Sequence, residues 1–354
     1  MRALLLSLFL THIASSVAAQ EWRQLTAAGD GPSARTHGAA IYDSRGNRMI
    51  LFGGRGDVWA FDLTEHSWSD ITPSGIPAPM ARFTHNAIYD EVAHQMIIWS
   101  GRYVTAEGGG FLNDVWGFDL EEETWTELLT PDPVPLERYG TAAVFHPPLR
   151  RLVNFAGFTT AGRFEDVWSF DLGTQVWSEI SSTSDPGARC LHSASYDDRR
   201  QRMIIYGGQR GGAALDDLRA LDLATHSWTD LAPGDRPRGR IFATQVYDAN
   251  NDRVIIFGGN QDRDGVDALT DEVLSFDLDQ GNWVELVPSG GSPEAREGSA
   301  AIYVGSQDRL VLFGGNGLSG NFADVWSIER LSGERPTVIS DEQPWGWIKS
   351  SQND

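Results

Sequence analysis

Lysine is almost missing from this chain. Lys349 is the only one among 28 basic residues, which face 49 acidic residues for a net charge of −21. A broadly acidic surface repels phosphate backbones and anionic headgroups, so neither nucleic acid nor an anionic membrane surface is an expected partner. Cysteine is equally scarce: Cys190 stands alone, which excludes an intrachain disulfide and any cysteine-rich zinc site. No apolar run approaches the ~20 residues that span a bilayer, so integral membrane association is not expected. Asn-x-Ser/Thr occurs nowhere, and no N-glycan is expected. What the chain does have is 38 glycines, 13 tryptophans and 41% hydrophobic residues. That mixture reads as turn-rich β-structure with a real core rather than disorder.

The first residues read as an address. Arg2 precedes the apolar run Leu4 to Leu10, and small residues follow to Val17-Ala18-Ala19. A charged start, a short apolar stretch and a small-residue cleavage site make a signal peptide over 1–19, cleaved after Ala19. The expected mature protein is secreted, extracellular or periplasmic, with a net charge of −22 once Arg2 is lost.

The remainder is built on repetition. Glycine pairs or their relatives stand at Gly53-Gly54, Ser100-Gly101, Ala156-Gly157, Gly207-Gly208, Gly258-Gly259 and Gly314-Gly315. Their second members are 47, 56, 51, 51 and 56 residues apart. An apolar strand precedes each pair, as in Arg48-Met49-Ile50-Leu51-Phe52. Asp-Val-Trp or a relative follows, at Asp57, Asp114, Asp166, Asp217, Glu272 and Asp324. Next come Phe-Asp-Leu or a relative and, seven residues after its first position, Trp68, Trp125, Trp177, Trp228 or Trp283. Upstream of each pair is Pro-x-x-Arg, ending at Arg35, Arg82, Arg138, Arg189, Arg240 and Arg296. Each unit therefore reads as four short strands separated by turns.

A period near 50 carrying a glycine pair and a spaced aromatic–tryptophan pair resembles the kelch repeat. The resemblance covers about residues 21 to 330 and implies a β-propeller with one four-stranded blade per repeat. The expected fold is all-β, a six-bladed kelch propeller over 20–330, with a C-terminal tail over 331–354. The sixth unit lacks its tryptophan, since position 335 is arginine; Trp22 in Glu21-Trp22-Arg23-Gln24-Leu25 supplies the missing one. The N-terminal strand is therefore expected to complete the last blade and close the ring, leaving no open blade interface.

Repetition also separates scaffold from site, because a site needs asymmetry. The glycine pairs and tryptophans recur in nearly every copy and read as structure. The six Pro-x-x-Arg arginines are expected to ring one mouth of the channel. They either hydrogen-bond the neighbouring blade's backbone or form a positive collar for an oxyanion. The residues beside them vary, among them Tyr139, Cys190 and Glu297, as do the loops between second and third strands. The long loops, 102–113 and 260–271, belong to opposed blades two and five; they either clasp a ligand, with Tyr103 and Phe111 as contacts, or differ through ordinary loop drift. Asp262, Asp264 and Asp267 form a weak calcium candidate that lacks the EF-hand spacing. His37, His85 and His192 begin inner strands at slightly different registers.

Among kelch proteins, galactose oxidase implies a copper site with a Tyr–Cys cross-link. Tyr139 and Cys190 hold matching positions in adjacent repeats, but no Tyr-His dipeptide exists, so no copper oxidase and no cofactor are expected. Plant specifier proteins imply an iron-binding Glu-x-x-x-Asp-x-x-x-His run that is absent here. The expectation is a monomeric secreted binding module for a protein or glycan ligand at the channel mouth. The alternative is a carbohydrate-active enzyme resembling the periplasmic sialic-acid mutarotase, which needs only an acid–base pair.

Overall fold

A computed structural model describes residues 19–75, 77–261 and 268–333. Six four-stranded antiparallel sheets form its framework. The first comprises Ala39–Asp43, Arg48–Phe52, Val58–Asp62 and Ser67–Asp70, from inside to outside. The innermost strands of the next five are Asn86–Asp90, Ala142–His146, Ser193–Asp197, Thr244–Asp248 and Ala300–Val304. Each innermost strand packs on the next, and the sixth packs on the first. No helix among the described residues is long and apolar enough to cross a membrane. The segments 1–18 and 334–354, with the expected cleavage signal and most of the tail, lie outside the described residues.

The hairpins follow from local chemistry. The aspartate of Phe-Asp-Leu turns its side chain back on the next turn: Asp62 Oδ1 accepts the Thr64 and Glu65 N–H groups at 2.7 and 2.8 Å. Asp119, Asp171, Asp222 and Asp277 do the same. Aspartate is suited to this role because its short carboxylate reaches backbone donors two and three residues on. The strands between these turns carry the core. Met49, Ile50, Leu51 and Phe52 have no solvent exposure, and the same run in each sheet is buried.

Two circular sets of contacts join the sheets. The second glycine of each pair donates its N–H to the carbonyl of the next sheet's Pro-x-x-Arg arginine, as Gly54 does to Arg82 at 2.7 Å. The set returns to its start when Gly315 donates to Arg35 at 3.0 Å. The close approach requires glycine at the first position too: at Gly207, with φ of 65°, a Cβ would sit 2.5 Å from the Arg240 carbonyl oxygen. The second set is aromatic. Each outer-strand tryptophan packs on the aromatic residue that precedes the glycine pair of the sheet before it. Trp125 meets Phe52 at 5.1 Å, Trp177 meets Trp99 at 5.1 Å, and Trp68 meets Phe313 at 5.1 Å.

The N-terminal strand completes both patterns. Glu21–Leu25 pairs antiparallel with Val325–Glu329, placing Trp22 opposite Ile328. Trp22 is 4% exposed and lies 5.2 Å from Phe257, the contact the sixth sheet's own tryptophan would make. The reading that Trp22 replaces the missing tryptophan is thus met by its pairing and its packing.

Candidate functional site at the channel mouth

The mouth is framed by the residue two positions after each arginine: His37, Thr84, Gly140, Leu191, Phe242 and Gly298. All six adopt left-handed backbone angles, with φ between 51° and 65°. Each donates its N–H to the carbonyl of its counterpart in the preceding sheet, at 2.6 to 3.3 Å, and His37 completes the circle by bonding Gly298. The backbone here is common to all six repeats, while the side chains are not. His37 bonds Thr36 Oγ1 through Nδ1 at 3.0 Å and lies edge-on to Phe242 at 4.2 Å. It reaches Phe242 across Gly298, where a Cβ would come within 2.8 Å of the imidazole.

Neither reading of the six arginines, a positive collar or bonding to the neighbouring blade's backbone, describes what they do. The six arginines are 0–6% exposed, and each guanidinium turns into its own sheet rather than toward the channel or a neighbour. Arg82 shows the pattern. It donates to the Ser100 carbonyl at 3.0 Å and grips Asp114 with both terminal nitrogens at 2.6 and 2.7 Å. Arg35–Asp57, Arg138–Asp166, Arg189–Asp217 and Arg296–Asp324 repeat the fork, while Arg240 holds Glu272 through one bond. The indole N–H of Asp-Val-Trp adds a further donor, as Trp116 does to Asp114 at 2.8 Å. Burial alone would raise the Asp57 pKa, but Arg35 and Trp59 hold it below the usual carboxylate range. Paired guanidiniums cannot act as oxyanion receptors, so these arginines belong to the frame.

Inside the mouth lies an open cavity of about 180 Å³. Its lining includes His37, Thr84, His85, Asn86, His192 and Phe242, with no aspartate, glutamate, arginine or lysine. His85 and His192 stand one position below the left-handed frame, each against the aromatic end of a neighbouring strand, Phe52 and Phe155. Neither ring nitrogen of either histidine has a hydrogen-bond partner in the protein, nor does Asn86 Nδ2. An unmet buried polar group costs about 1–3 kcal/mol. Burial, reinforced by nearby Arg82, pushes His85 down to about 3. Burial does the same for His192, to about 3, and lowers His37 to about 4. The cavity is therefore uncharged at neutral pH.

Around the mouth, asymmetry is concentrated on the second and third sheets. The long loop of the second sheet is a hairpin, Arg102–Thr105 with Gly108–Phe111. It leans on the third sheet instead of crossing the mouth: Phe111 stacks on Tyr139 at 5.3 Å and 4°, and Phe158 meets both edge-on. Tyr103 instead covers Gly110, where a Cβ would lie 2.9 Å from its ring. Arg102 lies over Phe83 at 5.8 Å, and Arg163 lies over Phe158 at 5.5 Å. Met80, Val104 and Leu136 are exposed on the same side. Glu297 stands apart on the sixth sheet. Burial raises its carboxyl pKa against the opposing effect of Asn260, and its Oε2 is unpartnered. Cys190 is buried. Asp262, Asp264 and Asp267, the calcium candidate, lie outside the described residues.

Sequence reasoning thus identified Phe111 and Tyr139, which the structure brings together, and missed Thr84, Leu191, Phe242, Phe158 and Arg163. For Thr84, Leu191 and Phe242 the available signal was divergence at one fixed offset from a repeated arginine.

Comparison with known proteins gives a consistent picture. Residues 56–233 match a family model described as the KLHDC2/KLHL20/DRC7 Kelch-repeats domain. Residues 164–324 match one described as the Attractin/LZTR1 beta-propeller. Acyl-CoA-binding domain-containing protein 4 of Arabidopsis thaliana is 28% identical over 313 residues, covering 83% of this chain and 45% of its own length. Kelch domain-containing protein 3 of Bos taurus is 29% identical over 279 residues, covering 71% of this chain and 69% of its own. The chain spans less than half the length of the Arabidopsis protein and of a second plant relative, Acyl-CoA-binding domain-containing protein 5. A solved structure titled "Structure of YjhT" superposes with a TM-score of 0.67 at 16% identity, covering 84% of this chain and 95% of the other.

Proposed function

Because the chain belongs to the kelch-repeat family, we propose that it is a binding module. It grips a protein partner with the aromatic and arginine arc on its second and third sheets. One observation carries this reading. Phe83, Phe111, Tyr139 and Phe158, with Arg102 and Arg163, gather on one side of the mouth, while the positions opposite Phe83 and Tyr139 are Ile241 and Glu297. Aromatic residues, methionine and arginine are the types enriched where proteins meet, and a few such anchors carry most of the binding energy. Neither Arg102 nor Arg163 pairs with a carboxylate among the described residues; Arg163 donates to Gln209 Oε1 at 2.6 Å. An acidic segment of the partner fits that arrangement on a chain that is otherwise strongly acidic. With the export signal expected at the N-terminus, the proposed partner is an extracellular or periplasmic protein.

The test is a comparative pull-down from the native source. Arg102→Glu/Arg163→Glu is expected to lose the partner protein, at least about tenfold in recovery, because two favourable charge contacts become repulsive. Val92→Ser, at the far end of the second sheet's inner strand and 68% exposed, is expected to keep it. Equal recovery with both variants would remove the arc from the binding surface.

A further inference from the structure

One face of the hairpin in the second sheet is shaped in a way that the arc alone does not explain. Resting on the protein-binding reading above, we infer that this face takes a partner segment in which one large apolar side chain stands between carboxylates.

The register of the hairpin decides what it presents. Arg102 lies opposite Phe111, Tyr103 opposite Gly110, Val104 opposite Gly109 and Thr105 opposite Gly108. Alternate residues of a strand, and the residues directly opposite them, lie on one face of the pair. Arg102, Val104, Gly109 and Phe111 therefore share a face, while Tyr103 covers Gly110 on the other. The first face continues into the third sheet. Phe111 stacks on Tyr139, Phe158 meets both rings edge-on, and Arg163 lies over Phe158.

In the middle of this face one side chain is missing. Gly109 is exposed, with Val104 opposite it and Phe111 two residues along. A Cβ at Gly109 would lie 2.6 Å from the Tyr103 carbonyl oxygen, so the position stays bare. The result is a notch with a backbone floor and apolar walls. Val104 is 61% exposed, so an apolar side chain seated against it takes apolar surface of both out of water.

The hairpin is fixed at both legs. Arg102 and Phe83 exchange backbone hydrogen bonds at 3.0 Å each, and the Arg138 N–H donates to the Leu112 carbonyl at 3.2 Å. Next to these attachments, two residues before Arg82 and Arg138, stand Met80 and Leu136, 47% and 58% exposed. The same position is Ser33, Gly187, Arg238 or Glu294 in the other sheets. At this offset, exposed apolar side chains thus occur only beside the hairpin. Charge sets the rest of the partner's chemistry. Arg102 stands beside the notch and Arg163 beyond the aromatic rings, each over a phenylalanine rather than a carboxylate. Carboxylates on either side of the apolar residue meet these two guanidiniums. An apolar anchor in a notch, ringed by charge contacts, is the arrangement that concentrates binding energy.

The experiment is fluorescence anisotropy of the full chain with three dye-labelled, C-terminally amidated peptides. They are Gly-Asp-Glu-Leu-Asp-Glu-Gly, the same peptide with serine for leucine, and Gly-Lys-Lys-Leu-Lys-Lys-Gly. The acidic leucine peptide is expected to bind at least about tenfold tighter than the serine peptide, the effect of burying one leucine side chain. It is expected to exceed the lysine peptide by at least about tenfold as well. Val104→Ser is expected to weaken the acidic leucine peptide at least about threefold, with the serine peptide and the melting temperature unchanged. Arg102→Glu/Arg163→Glu is expected to weaken both acidic peptides at least about tenfold. Equal binding of the leucine and serine peptides, full binding by the Val104→Ser protein or by the double variant, preference for the lysine peptide, or no binding of the acidic leucine peptide would each overturn the inference. Loss of the partner protein from the pull-down with Arg102→Glu/Arg163→Glu would still uphold the arc, so the two readings fail separately.

Discussion

Deleting residues 20–25 is expected to leave a chain that does not fold as a stable monomer. The deletion removes a strand whose neighbour, Val325–Glu329, already pairs on its other side with Arg309–Phe313. It takes Trp22 off Phe257 and out of a cluster that includes Ile255, Leu286, Leu312 and Ile328. Loss of one buried tryptophan costs about 3–5 kcal/mol, and global stability is usually only about 5–15 kcal/mol. The newly bare edge of Val325–Glu329 would pair with other copies. Thermal melting and size-exclusion chromatography check this against a chain lacking residues 340–354, which lie outside the described structure. Equal melting temperatures for the two truncations would contradict the role given to the N-terminal strand.

The second large effect belongs to the framing ion pairs. Arg82→Met is expected to destabilise the protein by about 3–5 kcal/mol, the usual cost of removing one partner of a buried pair. Arg82 has no solvent exposure, and its removal strips both Asp114 oxygens of their guanidinium and leaves the Ser100 carbonyl without this donor. Asp114→Asn retains an acceptor for Trp116 but leaves a buried guanidinium that cannot shed its proton. It is expected to cost at least as much. The double variant is expected to lose less than the sum, with a coupling of about 1–3 kcal/mol in a denaturation cycle. Additive losses would show that the pair is not a unit.

These two effects divide the sequence into what is legible and what is not. Sheet number, strand order and the placement of Trp22 were readable because the same residues recur at nearly fixed spacing, and only one register satisfies them all. The arginines' carboxylate partners were not read because loop length hides them. Arg35 reaches an aspartate 22 residues on, Arg138 reaches one 28 on, and Arg82 reaches one 32 on. A partner at variable distance has no period, although an acidic residue accompanies an arginine in every copy. The left-handed frame was hidden for another reason. Threonine, leucine and phenylalanine carry no local preference for positive φ, so Thr84, Leu191 and Phe242 are held there by the circular hydrogen bonds rather than by their own chemistry. Their variety nevertheless marks the mouth as the place where six equivalent positions were free to diverge. The same holds one residue earlier, where Phe83 and Tyr139 face Ile241 and Glu297 across the mouth.

The central claim is that binding happens on the second and third sheets at the mouth. Hydrogen exchange, followed by mass spectrometry on the chain alone and with the partner recovered in the pull-down, tests it most directly. The predicted result is slowed exchange in residues 102–111 and 158–164, with the far-end turns 90–95 and 146–151 unchanged. Slowing confined to those far-end turns, with 102–111 and 158–164 exchanging as in the free protein, would contradict it.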